Sequence, residues 1–89
     1  MDSILKRIES MEKGIKEVDA ENIVLWNRVE DFYDEVELAR EAGNEEDVKK
    51  FTKKLNAART RAERTYNNLQ FMRGYLEGLK EAEDRYGAL

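Results

Sequence analysis

Apolar residues recur in the first half of the sequence at alternating steps of four and three residues, the heptad pattern typical of packed helices. The series starts at Ile4 and ends at Ala39, and a single position within it is polar, Asn22. Its members, called here the first seam, are Ile4, Ile8, Met11, Ile15, Val18, Asn22, Leu25, Val29, Phe32, Val36 and Ala39. Because the phase continues through Gly14, the pattern predicts one helix over about residues 2–42. A break into two helices near Gly14 is the alternative.

A second series with the same spacing begins after Gly43 and Asn44. Its members, the second seam, are Val48, Phe51, Leu55, Ala58, Ala62, Thr65, Leu69, Met72, Leu76, Leu79, Glu83 and Tyr86. Glycine suits the left-handed residue that ends a helix, and asparagine is a favoured N-cap. The sequence therefore predicts a turn at 43–44 and a second helix over about 45–86. We predict an all-α fold: a long antiparallel two-helix hairpin, similar to a coiled coil, forming a single domain over residues 1–89.

Folding the chain at this turn brings the two seams together in register and sets Asn22 opposite Thr65. A buried amide needs hydrogen-bond partners, and the Thr65 hydroxyl offers one donor and two acceptors. We interpret the two residues as a core polar layer that fixes register and oligomeric state at some loss of stability. A ligand-binding role for Asn22 is the alternative.

Large apolar residues also fall outside both seams, where a two-helix hairpin leaves them exposed: Ile23, Val24, Trp26, Tyr33, Leu38, Tyr66, Phe71 and Tyr75. Exposed apolar patches of this kind mark interfaces. We predict that the hairpin dimerises into a four-helix bundle. The predicted oligomer interface consists of Ile23, Val24, Trp26, Tyr33, Phe71 and Tyr75. A parallel dimer of bent chains and a monomeric three-helix bundle are the alternatives.

The composition removes most catalytic chemistry. The chain contains no histidine, no cysteine and only two serines, which excludes hydrolase triads, thiol catalysis and histidine-bearing metal sites. The acidic pairs Glu9/Glu12 and Glu81/Asp84 are similar to those of all-helical nucleotide pyrophosphatases, but none of the four occupies a seam position. We expect no enzymatic activity, no metal and no cofactor.

The longest apolar run, 23–26, is too short for a membrane span, so we expect a cytoplasmic protein without a membrane partner.

Charge is unevenly distributed along a chain whose net charge is −4. Residues 49–61 contain six bases and no acid, and one side of the second helix forms a basic stripe. The residues available to contact an anion or nucleic acid are Arg28, Lys50, Lys54, Arg61 and Arg64. In outline the hairpin resembles the Rop family of plasmid-encoded proteins, which are RNA-binding dimers of helical hairpins. The resemblance is architectural, rests on no shared motif, and implies RNA or DNA binding by this stripe.

Ion pairing between the helices offers a simpler explanation of the same charges. The register predicts a Glu35–Lys54 pair, a Glu12–Arg73 pair and a cation–π contact between Arg59 and Trp26. It also sets Arg28 beside Arg61, a repulsive pair that requires an anion or acids from a second chain. We therefore predict a small structural or protein-interaction module that binds another protein as an adaptor, scaffold or regulator. A nucleic-acid-binding hairpin dimer is the alternative.

Overall fold

The computed structural model describes residues 2–87, which form two antiparallel α-helices joined by a short turn. Helix α1 runs over Asp2–Glu41 and helix α2 over Glu45–Tyr86. Helix α1 passes through Gly14 without interruption, so the alternative of a break there is wrong. The result is a rod of 69 × 14 × 14 Å, and the predicted all-α helical hairpin is confirmed.

The turn follows from the chemistry of two residues. Gly43 adopts a positive φ of 69°, and its N–H donates to the carbonyl of Arg40 while the N–H of Asn44 donates to that of Ala39. These two bonds form the Schellman motif, which satisfies the last carbonyls of α1. The Oδ1 atom of Asn44 accepts from the N–H of Asp47 over 3.1 Å, which caps the start of α2.

The core consists of seam residues. Among the described residues, every buried apolar side chain belongs to one of the two predicted seams: Leu25, Val29, Val36, Ala39, Leu55, Ala62 and Leu69. Burial is deepest between the middle of the rod and the turn, while the seam residues nearer the other end are half-buried. Tyr86 is the exception: its spacing places it in the second seam, but it is 61% exposed. It lies at the level where α1 begins, so little of α1 is available to cover it.

Small residues in the seams allow the helices to approach closely. Ala62 is completely inaccessible to solvent, although its side chain is a single methyl group. Near the open end, a Cβ atom on Gly14 would lie 3.2 Å from Cε of Met72. The absence of a side chain at Gly14 therefore lets the Met72 methyl group rest against the backbone of α1.

Neither helix, over residues 2–87, has a stretch apolar and long enough to cross a bilayer.

Candidate functional site

The buried polar residue at the middle of the rod has a different partner from the predicted one. Asn22 is only 7% exposed, and its Nδ2 atom donates to the main-chain carbonyl of Ala62 over 3.0 Å. The hydroxyl of Thr65 donates instead to the carbonyl of Arg61, one turn earlier in its own helix. The predicted hydrogen bond between Asn22 and Thr65 is therefore wrong. A carbonyl within a helix keeps a free lone pair, which allows Ala62 to accept the amide without losing its helical bond.

Two ion pairs join the helices along one edge of the rod. Asp19 pairs with Arg73 and Glu12 with Lys80, each at 3.6 Å. The predicted Glu12–Arg73 pair is wrong because side chains tilt toward the N-terminus of their own helix. In antiparallel helices this tilt brings Asp19 and Arg73 toward each other, whereas Glu12 and Arg73 lean apart.

Exposed aromatic residues continue this edge beyond the ion pairs. Trp26 and Tyr33 lie one and two heptads after Asp19, and Tyr66 lies one heptad before Arg73. Seven residues make almost two complete turns, so these side chains point to the same side as the ion pairs. Together with Ile23, one turn before Trp26, they form the surface that we call the aromatic edge: Ile23, Trp26, Tyr33 and Tyr66. All four are exposed.

One further exposed apolar residue, which sequence reasoning missed, lies in line with the aromatic edge. Leu5 is 54% exposed and lies two heptads before Asp19. Its heptad position, which is that of Asp19, Trp26 and Tyr33, is the signal in the sequence that identifies it.

The opposite side of the rod carries positive charge. Arg28, Lys54 and Arg61 border one open groove, whose floor is formed by Leu25, Phe32, Ala57 and Ala58. None of the three cations takes part in an ion pair within residues 2–87. The structure thus brings Arg28 and Arg61 to the same groove, with Lys54 as a third positive charge. We call this surface the basic edge.

The remaining predicted anion contacts, Lys50 and Arg64, are exposed on the same side of α2. The ammonium groups of Lys50 and Lys54 lie 5.4 and 5.6 Å from the centroid of the Phe51 ring. Lys54 therefore faces Phe51, and the predicted ion pair with Glu35 is not formed. The predicted cation–π contact of Arg59 with Trp26 is also not formed, since within the described chain such contacts occur only at Phe51.

The six residues predicted to form the oligomer interface are all exposed, but they divide between the two edges. Ile23, Trp26 and Tyr33 belong to the aromatic edge. The other three lie toward the basic edge: Val24, Phe71 and Tyr75. Tyr75 lines a second groove on that side with Arg7 and Met72. Phe71 lies one turn before Tyr75 and is 74% exposed. A single flat interface does not contain all six residues.

Carboxylates do not converge in the part of the chain that the structure describes. Among the side chains that the structure describes, those of residues 3–87, no three acidic groups are placed to share a metal ion. Of the two acidic pairs considered above, Glu12 is engaged with Lys80, and Glu9, Glu81 and Asp84 are exposed.

The fold and its surfaces define an all-α helical hairpin with one aromatic and one basic edge. Comparison of the chain with protein-family models, with curated proteins and with solved structures finds no match.

Proposed function

We propose that this protein is a small structural or protein-interaction module without enzymatic activity. Its functional form in this proposal is a dimer of hairpins packed as a four-helix bundle. The observation that carries the proposal is the aromatic edge, where Ile23, Trp26, Tyr33 and Tyr66 are exposed side by side. Soluble monomers rarely expose contiguous large apolar side chains without a binding partner for them.

The thinness of the rod supports the same proposal. Only seven apolar residues are buried in the described chain, and the cross-section is two helices wide. A two-helix layer has one buried stripe per helix, so the stability of a domain of this size depends on burying more apolar surface. Packing a second layer on the aromatic edge supplies that surface, and the outer faces remain free to bind another protein.

Sedimentation equilibrium at micromolar concentration tests the proposal. A species of twice 10.5 kDa supports it, and helix content measured in the same samples by circular dichroism shows that the chain is folded. A folded species that remains at 10.5 kDa over the whole concentration range contradicts it. Such a result would mean that the side chains of the aromatic edge do not mediate self-association.

The basic edge favours a second candidate function, binding of RNA or DNA. Arg28, Lys54 and Arg61 surround one groove, and none of them forms an ion pair within the described residues. Their positive charges are therefore available to neutralise phosphates. Fluorescence anisotropy with labelled RNA and DNA decides between the two functions. If this edge binds nucleic acid, Arg61→Ala and Arg64→Ala should each flatten the dependence of log K on log salt by about one unit. The interaction-module proposal expects no binding above background at about 150 mM salt, where weak electrostatic contacts are screened.

A further inference from the structure

We infer that the groove of the basic edge binds an acidic amphipathic helix of a partner protein, which lies between α1 and α2. Carboxylates of the partner pair with Arg28, Lys54 and Arg61, and its apolar side chains cover the floor of the groove. The inference rests on the protein-interaction module proposed above and adds the face that binds the partner and the chemistry of that partner.

The lining of the groove is either cationic or apolar. Arg28, Lys54 and Arg61 form its border, and its floor consists of Leu25, Phe32, Ala57 and Ala58. No acidic residue belongs to this lining. Helix α2 contributes most of it, from within residues 49–61, where the chain has six bases and no acid. A ligand complementary to this surface is therefore both anionic and apolar.

The two arginines of the groove repel each other. Arg28 belongs to α1 and Arg61 to α2, and both border the same groove. Neither forms an ion pair in the part of the chain that the structure describes. A carboxylate accepts hydrogen bonds at both of its oxygens, so one acidic side chain placed between the arginines can bind both. Binding of an acid at this point removes the repulsion between the two helices.

The spacing of the cations on α2 fits a helical partner. Lys54 and Arg61 are seven residues apart, so they lie on the same side of α2, about 10.5 Å apart along its axis. Ala57 and Ala58 lie between them, and because each side chain is a single methyl group, the floor is recessed there. A partner helix with a large apolar side chain in this recess brings acidic residues four positions before it and three positions after it level with the two cations.

The shape of the groove sets the direction of the partner. The groove is formed between two antiparallel helices and runs along the rod. A third helix packs into such a groove with its apolar stripe facing both helices. Acidic residues on one side of that stripe then meet Lys54 and Arg61 of α2, and those on the other side meet Arg28 of α1.

Acidic residues of the rod limit the length of the basic groove. Glu21 and Glu35 lie one heptad before and one heptad after Arg28, and both are exposed on the same side of α1. A nucleic acid carries a phosphate at every nucleotide, so it would meet these carboxylates as it continued along the rod. A protein segment with acidic residues only at the level of the three cations avoids this repulsion.

The floor of the groove also suits aliphatic side chains better than bases. Phe32 is the one aromatic residue of the lining, and it is half-buried and packed against the core. Proteins that bind single-stranded nucleic acids present exposed aromatic side chains on which bases stack. The groove offers no such platform, so the observations favour an acidic protein segment over RNA or DNA.

Fluorescence anisotropy with a synthetic peptide tests the inference on the full chain. The labelled probe is an alanine- and glutamine-based helix of about three heptads, with one leucine per heptad and glutamates three and four residues after it. One control peptide replaces every glutamate with glutamine. A second control keeps the composition but moves the glutamates to the side of the helix opposite the leucines. We expect each control peptide to bind at least about tenfold more weakly than the probe.

Substitutions in the groove locate the binding site. Arg28→Gln, Lys54→Gln and Arg61→Gln should each weaken binding of the probe about three- to fivefold, as expected for partly exposed ion pairs. Lys53→Gln is the matched control: Lys53 is exposed on α2 beside Lys54 but does not line the groove. It changes the net charge by the same amount and should leave the affinity within about twofold of the original. Circular dichroism of each variant shows that the helices are intact.

The outcomes separate the inference from the proposal beneath it. Weaker binding in the three groove variants but not in Lys53→Gln, with the expected order of peptides, supports the inference. Equal affinity for the two glutamate peptides would show unspecific attraction between charges and overturn it. Tighter binding of a single-stranded oligonucleotide of the same net charge overturns it in favour of nucleic acid. A chain that sediments as a dimer but binds no peptide overturns the inference alone, whereas a monomer that binds the probe contradicts only the proposed dimer.

Discussion

The side-chain amide of Asn22 in α1 donates a hydrogen bond of 3.0 Å to the main-chain carbonyl of Ala62 in α2. Asn22 is the one buried polar residue among the described side chains, and Ala62 is the least exposed apolar residue in the core. The small side chain at Ala62 lets the amide reach the backbone, so a seam asparagine and a seam alanine act as a pair. The bond ties one level of α1 to one level of α2 and so fixes the register of the hairpin.

Replacing the amide with an apolar group should stabilise the fold. The Ala62 carbonyl retains its helical hydrogen bond in Asn22→Val, so no backbone group is left without a partner, and the buried polar atoms are removed. We expect the free energy of unfolding to rise by about 1 kcal/mol in urea denaturation at fixed protein concentration. Asn27→Val, at an exposed site of the same helix, is the control for helix propensity. A loss of stability in Asn22→Val alone would show that the hydrogen bond outweighs desolvation of the amide.

Enlarging Ala62 should be destabilising. The residue is fully buried between the helices, and two added methyl groups would force them apart and displace the Asn22 amide. Ala62→Val should lower the free energy of unfolding by about 1–3 kcal/mol. Ala57→Val, at an exposed position of α2, should change it by about 0.5 kcal/mol, the helix-propensity difference alone. Equal effects in the two variants would mean that the helices are not in close contact at Ala62.

Two glycines should respond in opposite directions to substitution by alanine. Gly43 has a φ of 69°, which a Cβ atom disfavours, so Gly43→Ala should lower the stability by about 1 kcal/mol. Gly74 lies in the interior of α2, and a Cβ there meets nothing within 4 Å. Gly74→Ala should therefore raise the stability by up to about 1 kcal/mol through helix propensity. Thermal denaturation measures both, and a destabilised Gly74→Ala would point to a neighbour at that site in the assembled protein.

The two edges can be compared with one substitution made at two tyrosines. Tyr66 on the aromatic edge and Tyr75 toward the basic edge are 47% and 46% exposed, and both belong to α2. Tyr66→Ser should raise the dimer dissociation constant about tenfold or more, because a buried interface tyrosine contributes strongly to affinity. Tyr75→Ser should leave it within about twofold. If sedimentation shows the larger effect for Tyr75, the dimer uses the basic edge.

The sequence was sufficient to predict the hairpin because its two strongest signals agree. The heptad phase of each seam identifies the buried face of each helix, and Gly43 with Asn44 marks the turn independently. Every buried apolar residue in the described chain occupies a position of one of the two seams. The prediction that Tyr86 packs in the second seam is wrong because spacing alone does not indicate where the opposite helix starts.

The surface was harder to predict because position on a helix does not specify where a side chain reaches. Heptad spacing put Asn22 level with Thr65, but the amide reaches a backbone carbonyl, which no side-chain pattern reveals. Backbone level alone pairs Glu12 with Arg73, whereas the tilt of the side chains pairs Asp19 with Arg73 and Glu12 with Lys80.

A spin-label distance measured by double electron–electron resonance tests the central claim most directly. The chain has no cysteine, so Glu46→Cys at the exposed start of α2 carries one label per chain, close to the turn. A dimer of hairpins packed along their lengths predicts a dipolar signal between the two labels, at a distance shorter than the 69 Å rod. A distance below about 25 Å would mean that both turns lie at the same end. The absence of any dipolar signal from a folded sample would contradict the dimer itself.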